Sequence, residues 1–364
     1  MRFELSEDQQ EIQRTARELL AERSSMAQLR AFVEGRQGDG DDSADASVVD
    51  YLGVSDEDAG LSAELAELGW TGIAVSEEHG GQGLGLVELA TITEQLGYAV
   101  APVPFLGTVT AALVIEHEGS EEQREDWLGH LASGALRGAA TLTGDRGPVP
   151  GAAEGSLVVV ADAAGGPSAL YGPGSGIVEP VEAIDPTRGH GRVPVAALDP
   201  EDVELDGRGE WLGGTPKPAG GGFDRAAIVV AAELVGVAQR ALDMTIAYVK
   251  DRKQFGVPVG SFQAVQHSAA QMLRDVAMAR VLTYNAAWVA DASDPADLPV
   301  AAAMAKAAAS DAGRTVTAAA IQLHGGIGFT WEADVHWLMK RAQVDAALLG
   351  GAGYHRKRIA AAGR

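Results

Sequence analysis

The chain of 364 residues contains no cysteine. Disulfide bonds, thiolate metal sites and a cysteine nucleophile are therefore excluded, and the composition is compatible with a reducing cytoplasm. A chain of this length buries a large core without cross-links and has room for two or three domains. Any chemistry must come from the remaining side chains and from what they bind.

Positive charge is also scarce. There are 28 Lys and Arg residues against 51 Asp and Glu residues, so the formal net charge is −23. A surface this acidic repels polyanions, and nucleic acid is therefore not an expected partner. Part of the acidity lies in residues 38–45, a Gly- and Asp-rich stretch that predicts a solvated loop.

Long apolar runs are missing as well. No uninterrupted apolar stretch reaches the roughly 20 residues that a membrane-spanning helix needs. The first eight residues are polar and acidic, unlike an export signal, so we expect no membrane span and a cytoplasmic location. His79, His267 and His324 do not stand in metal-ligand spacing with carboxylates, so no metal site is expected.

The first third of the chain is patterned for helices. Ser6, followed by Glu and Gln residues, predicts an N-cap and a helix through Leu20. Further helices are predicted at residues 63–70 and 87–97. The glycine-rich segment 75–85 between them fits the spacing of neither a P-loop nor a dinucleotide fingerprint, so we interpret it as a structural turn.

Short β-like runs replace this pattern between residue 137 and about residue 210. They lie at residues 139–143, 157–160 and 196–198, separated by clusters of Gly and Pro. Such runs predict a small, mostly antiparallel β domain.

Helical periodicity then returns. From Asp224, a predicted N-cap, an Ala- and Val-rich helix runs to about Lys250 and is apolar on most sides, as in the middle of a bundle. Three more helices are predicted at residues 262–276, 300–323 and 331–349, which gives an antiparallel four-helix bundle. The fold class is therefore mainly α with a small β domain. The predicted domains are an N-terminal helical domain (1–136), a middle β-barrel-like domain (137–215) and a C-terminal four-helix bundle (216–364).

The most informative segment is the corner between the first two bundle helices. It places a guanidinium (Arg252), an aromatic ring (Phe255) and an amide (Gln263) close together in sequence. Arg252 can fork onto a pyrophosphate, Phe255 can pack on an adenosine and Gln263 can donate to a phosphate oxygen. Alternatively, Arg252 and Lys253 only cap a helix C-terminus, and the later Gly pair at 325–326 is an ordinary turn.

The order of these elements and motifs resembles the acyl-CoA dehydrogenase family over nearly the whole chain. The resemblance is carried by RKQFG at 252–256, ELGW at 67–70, HGGQG at 79–83, DPTR at 185–188 and QLHGGIG at 322–328. Each motif is weak alone, and their order and spacing together make the resemblance specific.

The resemblance implies an FAD cofactor. In the family, the corner holds the adenine diphosphate half of FAD, and a Gly pair of a neighbouring subunit lets backbone N–H groups approach the same region. This implies a homo- or hetero-tetramer. The cofactor-binding residues are then Arg252, Gln254, Phe255, Gln263, Gln322, Gly325 and Gly326, with Thr143 reaching the isoalloxazine.

Family members desaturate an acyl-CoA thioester between its α and β carbons. A carboxylate removes the α proton, the β hydride passes to the flavin, and an electron-transferring flavoprotein is the usual acceptor. Counting from Arg341, the usual position of that glutamate falls at Gly350, and a minority position falls at Ala226. Neither is a carboxylate, so the catalytic base of this chain is unknown.

Glu233 is the weak alternative base. It lies seven residues after Ala226, on the same helix face but about 10 Å along the axis. The competing interpretation is a buried polar group paired with Arg or Lys, or a subunit contact.

The sequence therefore predicts an acyl-CoA dehydrogenase subunit without a base, which completes the flavin site of a partner subunit. Two alternatives stay open: a homo-oligomeric enzyme that uses Glu233, and a flavin-free scaffold or CoA-thioester binder.

Overall fold

The computed structural model describes residues 4–38, 56–198, 208–214, 221–292 and 295–363. The predicted loop at 38–45 lies, beyond its first residue, outside these ranges. Helices form the N-terminal region: α1 (Glu7–Arg23), α2 (Met26–Gly38), α3 (Asp56–Glu67), α4 (Leu86–Ala99), α5 (Phe105–Glu118) and α6 (Glu121–Ala132).

The N-terminal helix begins as predicted. Ser6 Oγ accepts the Gln9 N–H at 3.2 Å, and Gln9 Oε1 accepts the Ser6 N–H at 2.9 Å, which is a capping box. Helices α5 and α6 had no sequence prediction. Almost every residue of α5 is buried, so the 3.6-residue alternation that marks a surface helix is absent from it.

Two small sheets follow. The first has the order β1 (Gly138–Leu142), β3 (Leu157–Ala161), β4 (Ser168–Tyr171), β7 (Glu210–Trp211), and the second β2 (Val149–Pro150), β6 (His190–Arg192), β5 (Glu179–Pro180). Only the β1–β3 pair is parallel among these strands. The run predicted at residues 196–198 is not a strand in the structure. Just before it, the Val195 carbonyl accepts the Gly144 N–H at 2.8 Å.

The C-terminal region is a helical bundle. Its helices are α7 (Gly222–Asp251), α8 (Gln263–Asp291), α9 (Leu298–His324), α10 (Val335–Ala347) and α11 (Ala352–Ala362). The predicted N-cap at Asp224 is wrong. Gly221, with φ +93°, caps α7, and the carboxylate of Glu118 accepts the first N–H groups of the helix. Asp224 instead pairs with Arg358 at 2.7 Å.

Helix α7 occupies the centre because two glycines let it touch α4. A Cβ on Gly236 would lie 1.9 Å from the carbonyl oxygen of Glu94, and a Cβ on Gly97 would lie 2.2 Å from that of Glu233. The buried apolar side chains of α4, α5, α7 and α9 thus form one core. Within the described ranges, no helix combines the length and apolarity needed to cross a membrane. The domain limits at 136 and 215 remain predictions.

Candidate functional site

The corner after α7 is a tight hairpin. Strands β8 (Lys253–Gln254) and β9 (Val257–Pro258) pair antiparallel across a two-residue turn. Phe255 and Gly256 both have left-handed backbone, with φ +53° and +81°, as a type I′ turn requires. The Val259 N–H donates to the Arg252 carbonyl at 2.8 Å and closes the hairpin base. The backbone thus fixes where the neighbouring side chains point.

This hairpin exposes its aromatic residue. Phe255 is 94% exposed, and its ring meets that of Phe262 edge-on, with centroids 6.3 Å apart. Arg252 and Gln263 are exposed beside it, whereas the Gln254 amide donates to the Lys253 carbonyl at 2.8 Å. An exposed phenylalanine next to a guanidinium suits a ligand with a flat ring and negative charge.

The second predicted element lies at the same end of the bundle. Helix α9 ends at His324, whose ring stacks on Tyr248 near the end of α7 with centroids 4.4 Å apart. Gly325 has φ +65°, and a Cβ on it or on Gly326 would meet no atom within 4 Å. Gln322 is exposed one turn earlier. The glycine pair therefore presents open backbone to a ligand or a neighbouring chain.

Thr143 differs from the other predicted cofactor contacts because its hydroxyl already has partners. It donates to Asp162 Oδ1 at 3.2 Å and accepts the Ala163 N–H at 3.0 Å, so it holds the turn between β3 and β4. The side chain is buried.

The loop after α10 has no carboxylate between residues 348 and 352. Its backbone turns through Leu349 and Gly350, with φ +53° and +90°. A fully buried ammonium lies behind it, since Lys306 Nζ donates to the carbonyls of Gly350 at 3.1 Å and Ala346 at 3.3 Å. Lys306 also donates to Ser310 Oγ at 2.9 Å.

Burial lowers the pKa of Lys306 to about 7, although the nearby Asp345 carboxylate acts in the opposite direction. Sequence reasoning missed this residue. The available signal was a single lysine in an otherwise alanine-rich stretch of α9.

The minority base position at Ala226 has no carboxylate either. Ala226 and its neighbour Ala227 are fully buried in the first turns of α7, inside the core.

Glu233 lies in a buried network of charges. It is 3% exposed, and its carboxylate accepts from Arg188 Nη1 at 3.0 Å and Arg341 Nη1 at 2.9 Å. Arg341 Nε also donates to Asp185 Oδ2 at 2.6 Å, and Arg188 pairs with Asp345. The DPTR motif thus joins the β region to α7 and α10.

Electrostatics make Glu233 a poor proton acceptor. Burial opposes ionisation, but the two arginines outweigh it, so the pKa of Glu233 is lowered. Asp345 is the carboxyl of this network that most readily holds a proton, because burial and the charges of Glu233 and Asp185 raise its pKa well above the usual range despite Arg188 and Arg341. This geometry favours the interpretation of Glu233 as a buried, arginine-paired group.

No cluster of three or more potential metal ligands of the His, Asp and Glu types occurs in the part of the chain that the structure describes.

Comparison with known proteins gives the family. The family description "Acyl-CoA dehydrogenase, C-terminal domain" matches residues 217–363, and "Acyl-CoA dehydrogenase, N-terminal domain" matches residues 41–135. The chain is 34% identical to acyl-CoA dehydrogenase IpdE2 of Mycobacterium tuberculosis (strain ATCC 25618 / H37Rv), over 94% of this chain and 93% of that protein. The IpdE2 protein of Mycolicibacterium smegmatis is 32% identical, over 95% and 96%.

Solved structures have the same fold. A variant of the Tcur3481-Tcur3483 steroid ACAD superimposes with a TM-score of 0.77 and 28% identity, covering 98% of this chain and 97% of that one. The ChsE4-ChsE5 complex from Mycobacterium tuberculosis gives a TM-score of 0.77 at 24% identity, covering 99% and 98%. With the helical, β and bundle regions in the same order, the chain belongs to the acyl-CoA dehydrogenase family.

Proposed function

We propose that this chain is a subunit of an FAD-dependent acyl-CoA dehydrogenase, and that it completes the flavin site of a partner subunit that supplies the catalytic base. The observation that carries this proposal is the state of Glu233. The glutamate nearest the minority base position is bound by Arg188 and Arg341, and the loop at 348–352 has no carboxylate. Proton removal is therefore assigned to another polypeptide.

The residues present fit the nucleotide half of FAD. Arg252 would face the pyrophosphate, Phe255 would pack on the adenosine, and Gln263 would donate to a phosphate oxygen. The open glycines at 325–326 would let backbone N–H groups approach the same ligand. When bound, FAD would supply hydride acceptance from the β carbon of the acyl group. An electron-transferring flavoprotein is the proposed electron acceptor.

Two-component assembly has support in the solved structure at 28% identity, the Tcur3481-Tcur3483 steroid ACAD, which is named for two proteins. We extend this to a hetero-tetramer for the present chain, with a bulky CoA thioester such as a steroid side chain as its substrate class.

The test is to express this chain alone and with a family member that carries a glutamate at the loop position. We expect FAD and substrate-dependent bleaching by a panel of acyl-CoAs only in the co-purified complex. Bleaching by the lone chain contradicts the missing base, and a colourless preparation under every pairing supports a flavin-free scaffold instead.

A matched pair of variants localises the cofactor. In the complex, Arg252→Ala should weaken FAD retention about tenfold or more, because a charge-assisted hydrogen bond to phosphate is lost. Arg274→Ala removes another exposed arginine, in α8, that pairs with its neighbour Asp275. It should leave FAD retention unchanged, and equal losses in the two variants would place the nucleotide elsewhere.

A further inference from the structure

The two ends of the proposed flavin site differ in how open they are in this chain. At the nucleotide end, Phe255 is almost fully exposed, and the glycines at 325–326 have open space beside them. At the other end, the resemblance places Thr143 next to the isoalloxazine and Gly350 next to the reacting carbons. In the structure, one side chain reaches from Gly350 to the β3–β4 turn, whose Ala163 N–H donates to Thr143.

That side chain is Tyr354, in the first turn of α11. A Cβ built on Gly350 would lie 2.3 Å from Tyr354 Cδ1 and 2.9 Å from Cε1, so the ring lies directly against the loop. The Tyr354 hydroxyl donates to the Ala163 carbonyl at 3.0 Å, and the Ala163 N–H donates to Thr143. Tyr354 thus spans the distance from the loop after α10 to the β3–β4 turn.

Its position is fixed by neighbours on three sides. The Tyr354 ring packs edge-on against Phe223 and His355, with centroid distances of 6.4 Å and 5.1 Å. His355 Nε2 donates to the Leu349 carbonyl at 3.0 Å, which ties α11 to the loop. Arg358, one turn further, lies over the Phe223 ring and pairs with Asp224. Rotation of Tyr354 would break a hydrogen bond and two ring contacts.

Two cavities of about 520 Å³ each lie between α7 and α8 and beside the start of α5, and neither is lined by residues of the 348–354 segment.

We propose that Tyr354 closes this chain's own flavin-ring and thioester pocket, so that the chain offers only its nucleotide end to a partner and binds no acyl-CoA beside its own Gly350. Tyr354 is in this sense a specificity-determining residue that excludes ligand. The identification of the filled space as a flavin-ring pocket rests on the proposed function, whereas the filling itself does not.

The binding test uses the full-length chain and octanoyl-CoA in isothermal titration calorimetry. Tyr354→Ala opens the space, and Tyr354→Phe keeps the ring while removing the hydroxyl. We expect Tyr354→Ala to bind octanoyl-CoA at least tenfold more tightly than the wild type and Tyr354→Phe. Wild-type binding as tight as that of Tyr354→Ala, or no gain in Tyr354→Ala, overturns the proposal.

A double-mutant stability cycle tests the contact between the Tyr354 ring and Gly350 directly. It also shows whether the Tyr354→Ala variant is folded. Gly350→Ala should lower the melting temperature more in the wild type than in the Tyr354→Ala background, because only the wild type has a ring against the new methyl group. Gly351→Ala is the control, since its Cβ would have only a carbonyl oxygen at 3.7 Å, and its effect should be the same in both backgrounds. Equal effects of Gly350→Ala in both backgrounds overturn the proposal.

The outcomes also separate this inference from the proposed function. If the complex is colourless but Gly350→Ala lowers the melting temperature more in the wild type than in the Tyr354→Ala background, the flavin role is rejected. The contact of the Tyr354 ring with the loop then still stands. If the complex contains flavin and the wild-type chain by itself binds octanoyl-CoA as tightly as Tyr354→Ala does, the proposed function stands. Only the proposal that Tyr354 closes the pocket is then rejected.

Discussion

The ammonium of Lys306 donates a 3.1 Å hydrogen bond to the carbonyl oxygen of Gly350, in the loop that lacks the family's usual glutamate. Lys306 is fully buried, and its other partners are the hydroxyl of Ser310 and the carbonyl of Ala346. A cation at the end of α10 also matches the helix dipole. The loop therefore has a charged support of its own that does not depend on any bound substrate.

This support makes stability depend on pH in a defined direction. The folded chain releases the Lys306 proton near pH 7, whereas an unfolded lysine keeps it to about pH 10.4. Between these values the unfolded state binds more protons, so stability rises with pH, at up to about 1.4 kcal/mol per pH unit. We expect urea unfolding to show this rise in the wild type relative to Lys306→Met.

The control for this comparison is Lys357→Met, which removes an exposed lysine of α11. Its unfolding free energy should follow the wild-type pH profile. A Lys306→Met profile parallel to the wild type across this window would contradict the assignment.

Removal of the Glu233 charge should damage stability rather than chemistry. Glu233→Gln leaves Arg188 and Arg341 buried without one of their carboxylates, and such a loss costs about 3–5 kcal/mol. We expect a large drop in the urea midpoint, together with unchanged turnover per folded complex. Glu179→Gln, at an exposed pair with Arg192, should cost under about 1 kcal/mol. Abolished turnover in a stable Glu233→Gln protein would revive the displaced-base alternative.

The end of α8 caps the start of α4. Asp291 accepts the N–H groups of Leu86 at 2.7 Å and Val87 at 3.0 Å, where Gly85 offers no side chain. Asp291→Ala should therefore lower the unfolding free energy by about 0.5–2 kcal/mol, the usual value of an N-cap. Asp275→Ala, on the same helix, loses only an exposed pair with Arg274 and should cost less. Equal costs would show that the cap contributes nothing.

Close approach of α4 and α7 predicts a strong effect of one methyl group. Gly236→Ala would place a Cβ 1.9 Å from a backbone oxygen of α4, so the two helices must separate, at a cost of about 1–3 kcal/mol or more. Gly353→Ala adds the same methyl group to α11 where no atom lies within 4 Å, and should be neutral or stabilising by up to about 1 kcal/mol. Thermal melting of both variants provides the comparison.

Sequence patterns predicted the features that depend on neighbouring residues. The capping box at Ser6 uses Gln9, three positions away, and the bundle helices follow from their own periodicity. The corner between α7 and α8 was predicted as well, but its hairpin was not, although that turn needs a glycine at its second position and Gly256 supplies it.

Features that depend on distant residues were not predictable in this way. The partners of Glu233 lie 45 and 108 positions away, so its buried network is invisible to local spacing. The same holds for the N-terminus of α7. Its first N–H groups donate to Glu118, from a distant helix, whereas the predicted capping residue was Asp224. Tyr354 could be interpreted only after the backbone had brought it against Gly350.

The buried network also has a consequence for how the protein unfolds. Arg188 comes from the β region, and two of its carboxylate partners, Glu233 and Asp345, come from α7 and α10. If either region melted first, the other would be left with unneutralised charges in an apolar interior, which costs several kcal/mol. The β region and the bundle are therefore coupled into a single cooperative unit, and calorimetry should show them melting in one transition.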